Sequence, residues 1–138
     1  MIQSFRGKYL FLSNFYMVPV FYDGIIYPSS EHAYQAAKTT NQILRKKISK
    51  LSTPSEAKAE GKKLKIRKNW DEIKIAVMRN ILLEKFVAND DLRKRLIRTE
   101  DHDLIEGNNY GDVFWGMTET GGRNELGISL MWVRDKVS

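Results

Sequence analysis

An Asp-Gly pair set between two short β-branched and aromatic runs constrains this chain more than any other feature. Val18-Pro19-Val20-Phe21-Tyr22 and Ile25-Ile26-Tyr27 flank Asp23-Gly24, which readily supplies the positive φ angles of a type I′ turn, so a tight β-hairpin is predicted here. Directly behind it, Tyr27-Pro28-Ser29-Ser30-Glu31-His32-Ala33-Tyr34-Gln35-Ala36-Ala37-Lys38 reads as a helix with an acid in its first turn. Glu31, Tyr34, Gln35 and Lys38 recur with helical spacing and share a polar, aromatic-bearing face, while Ala33, Ala36 and Ala37 offer small residues to the body of the protein. A carboxylate placed there is held rather than floppy. That face reads as the wall of a site. His32, one residue along, points about 100° away and is assigned a structural role.

The hairpin is preceded by Tyr9-Leu10-Phe11-Leu12-Ser13-Asn14-Phe15-Tyr16, too aromatic and too interrupted for a clean strand and expected to form an ordered, largely buried loop or short edge strand. Asn14 buried in it would need partners, and so ties the loop down or points into a pocket. After the first helix, Thr40 or Asn41 caps a short helix reaching Lys50, with Ile43, Leu44, Ile48 and Leu51 as core candidates. Thr53-Pro54-Ser55-Glu56 combines a cap, a first-position proline and a glutamate three residues after the cap, a strong helix start. Asn69 with Glu72 repeats that logic ahead of a long amphipathic run from Ile73 to Ala88, expected to be the central helix. Asn89 is the expected cap of a fifth helix carrying Leu92 and Leu96. Asn124 is the expected cap of a last one carrying Leu126, Leu130, Val133 and Val137. Between them, the glycine- and asparagine-rich stretch from Asp103 to Gly127 holds two brief strand-like pieces, Leu104-Ile105-Glu106 and Val113-Phe114-Trp115. Loops of this composition carry binding groups on a rigid scaffold.

Composition narrows the chemistry. The 138 residues, 42% hydrophobic, can close a core without staples. The absence of cysteine rules out disulfides, a thiolate nucleophile and cysteine-ligated zinc, and two well-separated histidines argue against a histidine metal site. No metal and no cofactor is expected. Carboxylates, amides, lysines, hydroxyls and aromatics must do the work. No apolar run approaches the roughly 20 residues of a membrane span, and no signal peptide is evident, so a soluble, cytoplasmic protein with no membrane partner is expected. The net charge of +6 favours anionic partners such as nucleotides, sugar phosphates or nucleic acid. Much of it lies in Lys58, Lys62, Lys63, Lys65, Arg67 and Lys68, which read first as a solvated helical face.

Five segments, Phe11 to Phe15, Tyr27 to Lys38, Asn69-Trp70-Asp71, Leu104 to Gly116, and Gly122 to Gly127 leading into Leu130-Met131, together resemble the YbiA-like, or NADAR, family of small proteins linked to NAD and ADP-ribose metabolism. The resemblance covers nearly the whole chain. It implies an α+β fold, a mostly α-helical single domain over residues 1–138 with a small β-hairpin or short sheet. It also implies N-glycosidase activity. The substrate would be a ribosylated or ADP-ribosylated base: a phosphoribosylamino-pyrimidine intermediate of riboflavin synthesis, or ADP-ribosylated guanine, including ADP-ribosylated nucleic acid. The family's functional glutamate falls on Glu31, its second acid on Asp112 and its pocket tryptophans on Trp70 and Trp115.

These residue types suit the reaction. Breaking a ribosyl C–N bond passes through a cation-like sugar, which needs a negative group nearby, an activated water and help for the departing base. Two acids in different environments serve such chemistry, with Glu31 as general base or cation stabiliser and Asp112 orienting ribose hydroxyls or assisting. The competing readings are a first-turn acid favoured by the helix dipole for Glu31 and a turn residue for Asp112. Trp70 at a helix start and Trp115 between glycines are both expected to be half-exposed and to sandwich a planar base, with core packing as the alternative. Lys38 is a candidate for phosphate binding, for Schiff-base attack on a ring-opened sugar, or for a plain helix-end cation. Asn14, Phe15, Tyr34, Asn108 and Gly116 are further substrate-binding candidates, and Arg6, Arg123 and the helix start at Asn124 are phosphate candidates. A non-catalytic module binding NAD or ADP-ribose, and a basic nucleic-acid-binding protein, are the competing functional classes.

Overall fold

The Asp-Gly turn forms as its sequence requires. In the computed structural model, which describes residues 1–138, Asp23 and Gly24 take φ of 48° and 88° and join β1 (Met17–Tyr22) to β2 (Ile25–Ser29). The two strands pair antiparallel, Tyr22 opposite Ile25 and Val20 opposite Tyr27, and the register shifts between Met17 and Val20. Pro19 falls inside that irregular stretch, where its missing N–H costs no ladder bond.

α1 (Ser30–Ala37) starts where β2 ends, with the Ser29 hydroxyl accepting from His32 N at 3.2 Å. Every residue of α1 is buried, the polar ones included. It packs against α2 (Gln42–Ser49), α3 (Pro54–Gly61), α4 (Trp70–Ala88) and the hairpin. Gly61 permits the closest approach, because a Cβ there would collide with the Gln35 side chain. α4 supplies Val77, Met78, Ile81, Leu82 and Phe86 to the core and packs on β1, α5 (Asp90–Ile97) and α6 (Glu125–Val137). The long central helix and the α-rich class with one small sheet are therefore as expected.

Caps separate the local predictions that hold from those that do not. Asn41 accepts from Ile43 N and Leu44 N, and Thr53 accepts from Glu56 N. Asn69, Asn89 and Asn124 make no side-chain cap bond. Asn69 has φ −94° and ψ 17°, away from the extended backbone that aims a cap at the first-turn N–H groups, so no box closes with Glu72. Asn89 instead donates to Lys85 O at 2.7 Å and finishes α4. Asn124 is left-handed, φ 53°, and its amide serves another segment. Ile43, expected in the core, is 78% exposed. Gly7–Leu12 is a 3-10 helix burying Phe11 and Leu12 rather than a loop or edge strand. Val113-Phe114-Trp115 is not a strand, and Leu104 forms only an isolated parallel bridge to Ile2. No helix is long and apolar enough to cross a membrane.

Candidate active site

Glu31, Tyr34, Asn14, Phe15, Asp112 and Trp115 line one small cavity of about 80 Å³. α1 brings Glu31 and Tyr34, the turn after the 3-10 helix brings Asn14 and Phe15, and the Leu104–Gly127 stretch brings Asp112 and Trp115. Asn14 is tied down as well as facing the cavity, since Ser30 Oγ donates to its Oδ1 at 2.9 Å and Glu31 N donates to its carbonyl at 3.1 Å. The first turn of α1 and this aromatic turn are thus one rigid corner.

The Glu31 carboxyl is buried and accepts from Gln35 Nε2 at 3.4 Å. Burial raises its pKa, opposed by the Gln35 hydrogen bond and by the charges of Lys58 and Lys38. Asp112 Oδ1 accepts from Phe114 N and Trp115 N at 3.1 and 3.0 Å, so this acid shapes its turn while also lining the cavity. The turn role of Asp112 does not take it away from the cavity.

The tryptophans are placed differently from expectation. Trp70 is 5% exposed, not half-exposed, and does not line the cavity. Tyr34 lies between the two indoles, its ring centroid 5.3 Å from Trp70 and 5.4 Å from Trp115, and Trp115 Nε1 donates to Tyr34 Oη at 3.2 Å. Each indole thus packs on Tyr34 rather than bordering an open slot for a base. The aromatic stack is instead a fixed wall, with Trp115 at its face and Trp70 behind.

Lys38 sits at the end of α1 with Nζ 5.4 Å from the Tyr34 ring centroid, outside the residues lining the cavity, and burial lowers its pKa. Asn108 braces the loop: Nδ2 donates to Asp112 O at 2.9 Å and Oδ1 accepts from Asp112 N at 3.0 Å. Gly116 packs on Glu106 O, where a Cβ would collide. Arg123 lies over the Phe114 ring and pairs with Glu125, away from the cavity. Asn124 accepts from Glu106 N and donates to Leu104 O, both at 2.9 Å. Asn108, Gly116 and Asn124 therefore hold the site's loop rather than face its cavity.

A second cavity of about 570 Å³ shares Ser13, Phe15, Lys58, Glu106 and Tyr110 with the first and adds Arg6 and Lys62. Lys58 and Lys62, expected on a solvated helical face, line this cleft instead, and Glu106 was not expected at a site. The lysines were legible as a face, since Ser55, Lys58, Ala59 and Lys62 recur at helical spacing from the Pro54 start. Glu106 ended an apolar pair, and nothing local marked it as facing a cavity.

The NADAR domain family model matches residues 3–138. The chain belongs to the NADAR domain family. Over 129 residues this NADAR chain is 36% identical to the N-glycosidase YbiA of Escherichia coli, covering 91% of the chain and 80% of that protein. It is 34% identical over 131 residues to the N-glycosidase Npun_R5314 of Nostoc punctiforme, covering 91% and 83%. It is also 38% identical over 130 residues to the riboflavin biosynthesis protein VVA0006 of Vibrio vulnificus, covering 92% of the chain but 35% of that longer protein. The NMR structure of E. coli YbiA superimposes on this NADAR fold with a TM-score of 0.86 at 35% identity, covering 99% of the chain and 82% of YbiA.

Proposed function

We propose that residues 1–138 act as one catalytic unit, an N-glycosidase hydrolysing the C–N bond between a phosphate-bearing ribose and a base. The observation that carries this reading is the juxtaposition of the two cavities. Two candidate acids, Glu31 and Asp112, line a narrow recess that shares a wall with a wider, cation-bearing cavity. The recess, about 80 Å³, is too small for a whole nucleoside, so it receives the reacting edge of the sugar. Arg6, Lys58 and Lys62 in the wider cavity suit phosphates, and Phe15 and Tyr110 offer faces to a base. ADP-ribosylated guanine, in a nucleotide or nucleic acid, and a phosphoribosylamino-pyrimidine are the substrates of this chemistry that we favour.

Glu31 is the general base or the stabiliser of the cationic sugar, fixed by α1 beneath the recess. A buried carboxyl lining the recess argues against a passive anion-binding module, which would hold phosphates as well without an acid there. Chromatography of released bases decides the matter, using a phosphoribosylamino-pyrimidine, ADP-ribosylated guanosine, ADP-ribosylated DNA and NAD. The wild type is expected to release base from at least one of them, and Glu31→Gln to slow that release by about 10²–10⁴-fold. Full-rate release by Glu31→Gln would remove Glu31 from catalysis. Wild-type binding of ADP-ribose with no base released from any of the four would make the chain a binder.

A further inference from the structure

Glu106 lies where the two cavities meet, lining both. Its Oε2 is buried with no hydrogen-bond partner, and it joins none of the ion pairs of the chain. The other two acids are occupied differently: Glu31 accepts from Gln35, and Asp112 Oδ1 accepts from two backbone N–H groups. An ionised, unpartnered carboxylate in such a place is costly, whereas a neutral carboxyl has an O–H to give to whatever enters.

The backbone around Glu106 is held firmly. Its N–H donates to Asn124 Oδ1 at 2.9 Å and its carbonyl accepts from Met117 N at 2.9 Å. Its flanks are fixed too, with Gly107 pressed on Gln3 O and Gly116 on Glu106 O, both without room for a Cβ. A group that only filled space would not need this support. A proton donor does, because general acid catalysis requires hydrogen-bond reach to one substrate atom.

We propose that Glu106 is the general acid of the cleavage, giving its carboxyl proton to the nitrogen of the departing base. This rests on the N-glycosidase reading above. The C–N bond breaks with its electron pair going to nitrogen, which takes the Glu106 proton. Water oxygen bonds to the anomeric carbon and its released proton passes to the Glu31 carboxylate. Exchange with solvent then reprotonates Glu106 and deprotonates Glu31, so the net reaction consumes one water. Burial first, and the negative charge of Asp112 next, hold the Glu106 pKa up to about 7, so it carries a proton to give near neutral pH; burial raises Glu31 as well, opposed there by the Gln35 hydrogen bond and by Lys58 and Lys38.

The test is Glu106→Gln on two glycosides: a phosphoribosylamino-pyrimidine and its ring-nitrated derivative, whose base departs without protonation. The variant is expected to lose about 10²–10⁴-fold in kcat/KM on the first and less than about tenfold on the second. The fall in wild-type kcat/KM above about pH 7 should vanish in the variant. Equal losses on both glycosides, or an alkaline limb that persists, would overturn the role of Glu106. Failure of the wild type on both glycosides and on the panel above would instead overturn the N-glycosidase reading, and this role with it.

A readout without substrate comes from stability. A glutamate whose folded pKa stands near 7, above the ordinary 4.5, stabilises the fold fully below 4.5 and loses that contribution as the pH rises through 7. Urea unfolding should therefore show the wild type falling in stability relative to Glu106→Gln across that window. Parallel stability profiles would show that Glu106 is not held protonated and would sink the proposal. Because the side chain has no ion pair to lose, the isosteric variant should retain the fold, as circular dichroism can verify.

Discussion

Helix α1 and the stretch from Leu104 to Gly127 bring acids to the same recess by opposite means. α1 sets Glu31 through local rules: a strand that runs straight into the helix, a serine cap, and helical spacing that fixes which side chains share a face. The later stretch has almost no regular structure, only isolated bridges at Leu104, Gly107 and Thr118. Its shape comes from scattered backbone bonds, such as Met117 N to Glu106 O and Asn124 N to Gly116 O, and from two asparagine side chains. Asn108 spans the Asp112 turn, and Asn124 clamps Leu104 and Glu106. The N-terminus helps, through Ile2 N to Asp103 O at 2.8 Å and Ile105 N to Ile2 O at 2.9 Å. A helix holds its acid mainly with its own backbone ladder, whereas the acids on the loop depend on side-chain amides to satisfy backbone groups that no ladder pairs.

If that contrast is right, single side chains should matter more in the loop than in the helix. Asn124→Ala should have the largest effect, about 3 kcal/mol in urea unfolding. It strands a buried N–H and a buried carbonyl and puts alanine at φ 53°. Asn124→Gly relieves only the backbone part, so it should recover about 1 kcal/mol of that loss. A cost below about 1 kcal/mol for Asn124→Ala would mean that the amide is not the clamp.

Ser29→Ala should cost less, about 1–2 kcal/mol by the same measurement, because α1 keeps its backbone ladder and its packing after losing the cap. The loss includes the contact between Ser29 Oγ and His32 Nδ1 at 2.6 Å. A penalty equal to that of Asn124→Ala would erase the distinction between the two regions. The smallest effect on stability is expected for Asp112→Asn, within about 0.5 kcal/mol, since the amide oxygen can still accept from Phe114 N and Trp115 N. Any large fall in base release by that variant would then report the lost charge rather than a lost turn.

The same contrast explains which parts of the site were legible in the sequence. Asp23-Gly24, Asn41 and Thr53 behave as their neighbours dictate, because a turn or a cap involves only residues a few positions apart. Asn69, Asn89 and Asn124 carry the same local signature, but Asn69 has the wrong backbone angles for a cap and the other two amides bond elsewhere. The tryptophans illustrate a different limit. The family resemblance implies two pocket tryptophans, whereas in the structure Trp70 and Trp115 each pack against Tyr34, which helical spacing places on the same wall as Glu31. Periodicity identified the face to which Tyr34 belongs, but not its neighbours across the cavity.

The sequence by itself determined the hairpin, the helix starting behind it, the buried central helix and the shared helical face of Glu31 and Tyr34. Those features rest on backbone geometry and on spacing that repeats within a few residues. Only the tertiary structure decided that Glu106 joins Glu31 and Asp112 at a cavity junction, that Lys58 and Lys62 turn from a solvated face into the lining of a cleft, and that Asn124 braces rather than caps. These depend on contacts between residues far apart in the chain. Burial and charge environment, which set what a carboxyl can do, exist only once those contacts have formed.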